Sequence, residues 1–168
     1  MLFRSLNLAK VPKGVDIART IACDEWVISR RLADIMISQE LTGYTLQPVE
    51  HRGARRAEHS WFQLLVTGSA GPTVPPTKFG KDLFHDDPEG EFVCAEHSLS
   101  GLKLVSELYI HRDNLDPMDI CKTANRHGIR SGVLVPVPML VVSPRFYHIL
   151  RSNKIKGYAV EIAHVLDD

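Results

Sequence analysis

A chain of 168 residues with 44 % apolar content is long enough to bury a sizeable core. Its 20 basic and 20 acidic side chains cancel, which argues against a bulk nucleic-acid binder or a membrane-surface binder. No apolar run is long enough to span a bilayer, Met1 to Lys10 lacks a signal-peptide pattern, and 3 cysteines make no disulfide framework, so the chain reads as cytoplasmic.

In chain order, the weak alternation of Leu2 to Leu8 predicts a first strand and Lys13-Gly14 a turn. Val15 to Cys23 suits either a short helix or an extended piece. Trp26 to Ile28 is an apolar run suited to a strand, and Ser29 offers an N-cap oxygen. Leu32, Ile35 and Met36 then form a helical stripe, and Gly43, Tyr44 and Leu46 a turn into a strand. Glu50 to His59, with Arg52, Arg55 and Arg56, is a polar, basic connector that reads as a solvated loop.

Trp61 to Thr67 predicts another strand. From 68 to 90 the chain is irregular: Pro72, Pro75, Pro76 and Pro88 exclude helix and impose extended or turn backbone. A loop of that length is uncommon unless it is functional or mobile. Phe92 to Cys94 begins an extended segment, and Leu102 to His111 reads as one long strand. Met118 to Arg126 predicts a short helix, with Asp116 as its N-cap and Pro117 at its first position. Gly128 would end it, and Pro136 and Pro138 demote Val133 to Val142 to an edge or irregular strand.

The last segment repeats an earlier one. At an offset of about 114, Val27, Ser29, Arg31, Ile35, Ser38, Gly43 and Tyr44 fall on Val141, Ser143, Arg145, Ile149, Ser152, Gly157 and Tyr158. Each copy makes physical sense as the same unit. In the second, Met139 to Val142 suits a strand, Ser143 caps, and Pro144 sits where its missing N–H costs nothing. Phe146, Ile149 and Leu150 form the stripe, Gly157 is free to turn left-handed, and Tyr158, Val160 and Ile162 alternate as a strand. The expected fold is α+β: two strand–helix–strand units, about 26–49 and 139–166, in one compact domain with a long Pro/Gly-rich loop. Its pseudo-repeated halves, about 1–67 and 91–168, are joined by the irregular segment 68–90.

Chemical motifs are few. Cys94-x-x-His97, with Cys121 and His127 downstream and His111 between, has the donor types of a tetrahedral zinc site but not two tight knuckles. With no such knuckles, a small metal- or ligand-binding domain or enzyme built on Cys94, His97, Cys121 and His127 is the alternative reading, and no cofactor is assigned. His85-Asp86-Asp87 could bind a divalent ion or act as acid and base, but lies in the Pro/Gly-rich loop and reads as solvated. Cys23, Cys94 and Cys121 lack a nucleophile's neighbourhood, and Gly-x-Ser-x-Gly, Gly-x-Gly-x-x-Gly and Walker A patterns do not occur. No catalytic residue is assigned.

The duplicated segments "WVISRRLADIMISQELTGYTLQPV" and "MLVVSPRFYHILRSNKIKGYAVEIAHV" resemble the half-repeats of bacterial polymorphic-toxin immunity proteins, nearest the Sit-type double Cys-x-x-Cys-Gly family. "PPTKFG" is similar to that family's Pro/Gly-rich linker, while Cys-x-x-Cys-Gly itself is absent from this chain. The resemblance implies a non-enzymatic protein that binds and blocks a cognate toxin. Loops commonly carry recognition residues, and toxins that act on nucleic acid tend to be basic. The expected partner surface is therefore the acidic run Asp82, Asp86, Asp87, Glu89 and Glu91, extending to Glu96, with Phe79 and Phe84 as apolar anchors.

Overall fold

The computed structural model describes residues 7–8, 14–20, 25–51, 60–80, 93–128 and 135–167. The architecture is α+β, with two helices among the described residues, α1 (Arg30–Ser38) and α2 (Pro144–Ser152), and many short strands. Neither helix is long and apolar enough to cross a membrane.

Both helices form for the reasons the sequence suggests. The hydroxyl oxygen of Ser29 accepts the Leu32 N–H at 3.2 Å, and that of Ser143 accepts the Phe146 N–H at 3.1 Å. These bonds satisfy amides that have no partner within a helix. Pro144 occupies the first turn of α2. Leu32, Ala33 and Met36 bury one face of α1, and Phe146 and Leu150 one face of α2. One core takes both faces together with Ile17, Ile28, Leu64, Ile120 and Ile155.

The helix ends are also copies. Beyond α1, Glu40 adopts φ 50° and donates to Ile37 O, while Leu41 donates to Met36 O. Beyond α2, Lys154 adopts φ 51° and donates to Arg151 O, while Ile155 donates to Leu150 O. Both are Schellman closures with an apolar residue, buried Leu41 or Ile155, after the left-handed position. The residue that closes each helix is thus Glu40 or Lys154, and the expected positive-φ glycine follows it in both halves. Gly43 and Gly157, at φ 90° and 98°, lie further on, where a Cβ would stand 2.1 Å from Ile120 O or Ile17 O. Glycine is required there because the opposite half's backbone passes against it.

The strand entering each helix pairs alike in both halves. Ile17–Arg19 runs antiparallel to Trp26–Ser29, with Ile17 opposite Ile28. Ile120–His127 runs antiparallel to Val137–Val142, with Ile120 opposite Val142. The first pair continues into a four-stranded sheet, ordered Ile17–Arg19, Trp26–Ser29, Trp61–Val66, Tyr44–Pro48. The second belongs to a five-stranded sheet in which the other edge of Ile120–His127 meets Gly68–Ser69 at one end and Leu99–Ser100 at the other.

Several expectations change. Ile120–His127 is an eight-residue strand, not a helix. Asp116 does not cap: its carboxylate accepts the Ser69 N–H at 2.7 Å, tying the Gly68–Ser69 strand to the same turn. Pairing on both edges of a segment that contains β-branched Ile120 and Thr123 overrides the local cap signal. Leu102 to His111 splits into Lys103–Leu104 and Leu108–His111. The second unit closes later than its alternation suggests. Tyr158, Val160 and Ile162 are not in a strand, and Ile162 is 72 % exposed. The closing strand is Ala163–Leu166, parallel to Leu108–His111, because the neighbour available to this half lies there. Val137–Val142 is an edge strand among the described residues, as its prolines suggest. The expected Leu2–Leu8 strand is described only at Asn7–Leu8, which pairs with Glu50–His51.

Candidate functional site

The most organised polar cluster is a pair of reciprocal clamps centred on Asp16 and Asp119, both buried. The Asp16 carboxylate accepts the Ser29 hydroxyl at 2.9 Å, the Arg31 guanidinium at 3.0 Å and the Lys156 N–H at 3.1 Å. The Asp119 carboxylate accepts the Ser143 hydroxyl at 2.8 Å, the Arg145 guanidinium at 3.3 Å and the Thr42 N–H at 3.1 Å. Each arginine then reaches across: Arg31 donates to Asn153 O and Arg145 to Gln39 O, the carbonyls at the C-caps of the opposite helices. A cation at a helix C-terminus meets the negative end of the helix dipole as well as an unpaired carbonyl.

The contacts are reciprocal: position i of one half touches position j of the other, and j touches i. That reciprocity defines a pseudo-two-fold relation and excludes a simple stack. Both carboxylates and both guanidinium groups are engaged with the protein itself. The clamps therefore fix the frame, with both buried carboxylates spent on groups of the protein itself.

A self-comparison at one offset misses Asp16 and Asp119. Ser143 lies 143 − 29 = 114 positions after Ser29, but Asp119 lies only 119 − 16 = 103 after Asp16. The connection between the paired strands is 11 residues longer in the second half, so a constant shift loses register. The signal exists at the second offset. Asp16-Ile17-Ala18-Arg19-Thr20 matches Asp119-Ile120-Cys121-Lys122-Thr123 in identity or kind.

The four zinc-type donors are not brought together. Cys94 Sγ and His97 Nδ1 lie 3.1 Å apart in an exposed turn. Cys121 is buried beside Gly68. It sits six positions along its strand from His127, on the order of 20 Å at strand rise, beyond any shared ion. Burial, and secondarily the negative charges of Asp116 and Asp119, pushes the Cys121 thiol up, the direction of an inert buried cysteine. Among the described residues no group of three or more His, Cys, Asp or Glu side chains is placed to hold a metal ion. His111, the remaining candidate donor, lies on the Leu108–His111 strand.

Of the expected partner-binding residues, Phe79 is described. It is half-buried in a two-residue strand paired with Leu104, its ring 6.2 Å from that of His127. Burial and the nearby Arg19 charge lower the His127 pKa below its usual value. Asp82, Phe84, His85, Asp86, Asp87, Glu89 and Glu91 lie outside the described residues. Glu96 is exposed in the turn that carries His97.

A second polar group holds the Ala163–Leu166 strand. His164 lies 2.7 Å from the Glu107 carboxylate and stacks on Tyr109 at 4.5 Å, and Arg112 pairs with Asp167. These are exposed contacts, each worth little on its own. Comparison with family models, with curated proteins and with solved structures found no match for this chain.

Proposed function

We propose that this protein is a non-enzymatic protein-binding antagonist, an immunity protein that binds and neutralises a cognate bacterial toxin in the cytoplasm. One observation carries the reading. The residues through which the chain resembles Sit-type immunity proteins, namely the capping serines, the helical stripes and the glycine–aromatic closures, recur in both halves and serve the frame in both. A frame built twice from internally satisfied groups leaves function to the segments it carries.

On this reading recognition falls to the connecting segments, where binding residues are commonly placed on a rigid scaffold. Phe79, half-buried beside His127, leads into the acidic run Asp82, Asp86, Asp87, Glu89 and Glu91, with Phe84 among them. Aromatic and acidic side chains in that combination would steer a basic toxin and anchor it with ring contacts, faster at low salt than at high.

Two measurements test it. A toxin-like reading frame beside the gene should encode a protein that kills when expressed alone and is tolerated when co-expressed with this chain; continued killing contradicts the reading. With that toxin in hand, reversing Asp86, Asp87 and Glu89 to lysine should slow association and flatten its salt dependence, while circular dichroism stays unchanged. An unaltered rate would remove the acidic segment from the interface.

A further inference from the structure

The pseudo-two-fold relation makes one difference between the halves informative. Trp26–Ser29 is paired on both edges: Ile17–Arg19 on one side and Trp61–Gln63 on the other, with Phe62 opposite Ile28 and Trp61 opposite Ser29. Its counterpart Val137–Val142 is paired with Ile120–His127, and among the described residues no strand lies along its other edge. The place that Trp61–Gln63 fills in the first half has no described strand in the second.

The polarity of that edge is set by alternation along a strand. Ser143 N–H donates inward to Asp119 O at 2.9 Å, and Met139 N–H donates inward to Thr123 Oγ1 at 3.0 Å. Odd-numbered amides therefore face the Ile120–His127 side, and even-numbered positions face away. Of the outward positions 136, 138, 140, 142 and 144, Pro136, Pro138 and Pro144 have no N–H to donate. Leu140 and Val142 are left. Prolines at these positions blunt an edge against indiscriminate pairing. They also leave a two-donor window aligned with the pairing site of the first half. Where Arg30 N–H donates to Ser60 O in the first half, Pro144 cannot, so the window ends at Val142.

The side chains define what fits. Val142 packs into the core that holds Phe146 and Ile120, whereas Met139 and Val141 pack into the separate cluster of Leu108, Ile110 and Cys121. An added strand would lie between these two apolar groups, as Trp61–Val66 lies between the shared core and the cluster of Val27, Val49 and Trp61.

We propose that the outward edge of Leu140 and Val142 receives one short extended segment of a partner protein, antiparallel, with an apolar residue opposite Val142 in the position that Phe62 takes opposite Ile28. This rests on the reading of the chain as a protein-binding antagonist and names a second contact besides the acidic segment. Main-chain bonds to Leu140 and Val142 supply affinity, and the prolines restrict the partner to a single short strand.

The test uses the full chain and a synthetic peptide carrying residues 60–66, Ser-Trp-Phe-Gln-Leu-Leu-Val, flanked by lysines for solubility. In the free protein the Leu140 and Val142 amides should exchange at least about tenfold faster than that of Val141, whose N–H faces inward. Saturating peptide should slow both by about tenfold or more and leave Val141 unchanged, and a peptide with proline in place of Phe62 should do neither. Three results overturn the proposal: Leu140 and Val142 as protected as Val141 in the free monomer, because another part of the chain already pairs there; their protection appearing only with dimerisation in sedimentation, because a second copy is the occupant; or no protection on adding peptide. No toxin enters these measurements, so their failure is separate from failure of the co-expression assay.

Discussion

Trp26–Ser29 and Val137–Val142 begin the same unit, yet one lies inside a sheet and the other at an edge. Both feed a serine-capped helix, both pair with a strand preceded or begun by Asp-Ile, and both end at a clamp closed from the opposite half. The difference lies beyond the helix. In the first half Tyr44–Pro48 meets Trp61–Val66, which also covers Trp26–Ser29. In the second, Ala163–Leu166 pairs away with Leu108–His111. Symmetry is thus kept where the halves hold each other and relaxed where each meets its surroundings. The shared part is expected to govern stability, and the divergent part recognition.

The sharpest way to break the symmetric part is at its closest approach. Gly43→Ala and Gly157→Ala each place a Cβ 2.1 Å from a carbonyl oxygen of the other half, on backbone with φ near 90° or 98°. Each should cost roughly 3–5 kcal/mol, because neither the strained backbone nor the opposing carbonyl can relax cheaply. Denaturant midpoints check this, and similar losses are expected from both. A tolerated substitution at one site only would show that the halves are less equivalent there than their geometry suggests.

Core substitutions in α2 come next. Phe146 and Leu150 are buried while Ile149 is only partly so. Leu150→Ala should therefore cost about 2–5 kcal/mol, and Ile149→Ala clearly less, about 1–2 kcal/mol. If Ile149 proved the costlier site, the helix would be rotated from the face described.

The capping serines rank below these. Ser29 and Ser143 each accept a helix amide and also donate to the clamp carboxylate, so either change to alanine should cost about 1–2 kcal/mol, more than a cap alone. Equal values in the two halves are the expected result, read from thermal or chemical unfolding.

The smallest effect concerns His127, on the second half's strand. His127 has its pKa lowered in the folded state by burial and by Arg19, so the unfolded chain takes up its proton first as the pH falls. Stability contributed by the neutral ring is complete above the usual value of 6.5 and declines below it until the lowered folded pKa is passed. His127→Gln should reduce the loss of melting temperature in that window. An identical pH profile in the variant would mean that His127 is not buried as a neutral ring.

The local parts of this fold are legible in the sequence. Ser29 and Ser143 announce helices, Pro144 fits a first turn, and the two apolar stripes face the core. The failures are long-range. Asp116-Pro117 resembles a helix start, but Ile120–His127 becomes a strand because neighbours from 68–69, 99–100 and 137–142 pair with it. Tyr158, Val160 and Ile162 alternate properly but do not pair there. Asp16 and Asp119 are hard to find from sequence because their bonds connect residues 13 to 140 positions apart and because their offset differs from that of the helices. Phe79, expected at a partner surface, has a half-buried ring beside His127 and so a packing role as well.

Neither half is closed without the other, since each clamp is completed from the opposite half. Native-state hydrogen exchange on Asp119→Ala probes this dependence by tracking core amides of α1 and α2 together. Removing this carboxylate strands the Ser143 hydroxyl, half-exposed Arg145 and the Thr42 amide, and Arg145 is the residue that ties α2 to the end of α1. Met36 in α1 and Leu150 in α2 should lose protection by the same factor, through one shared opening. Loss confined to Leu150, with Met36 as protected as before, would contradict it.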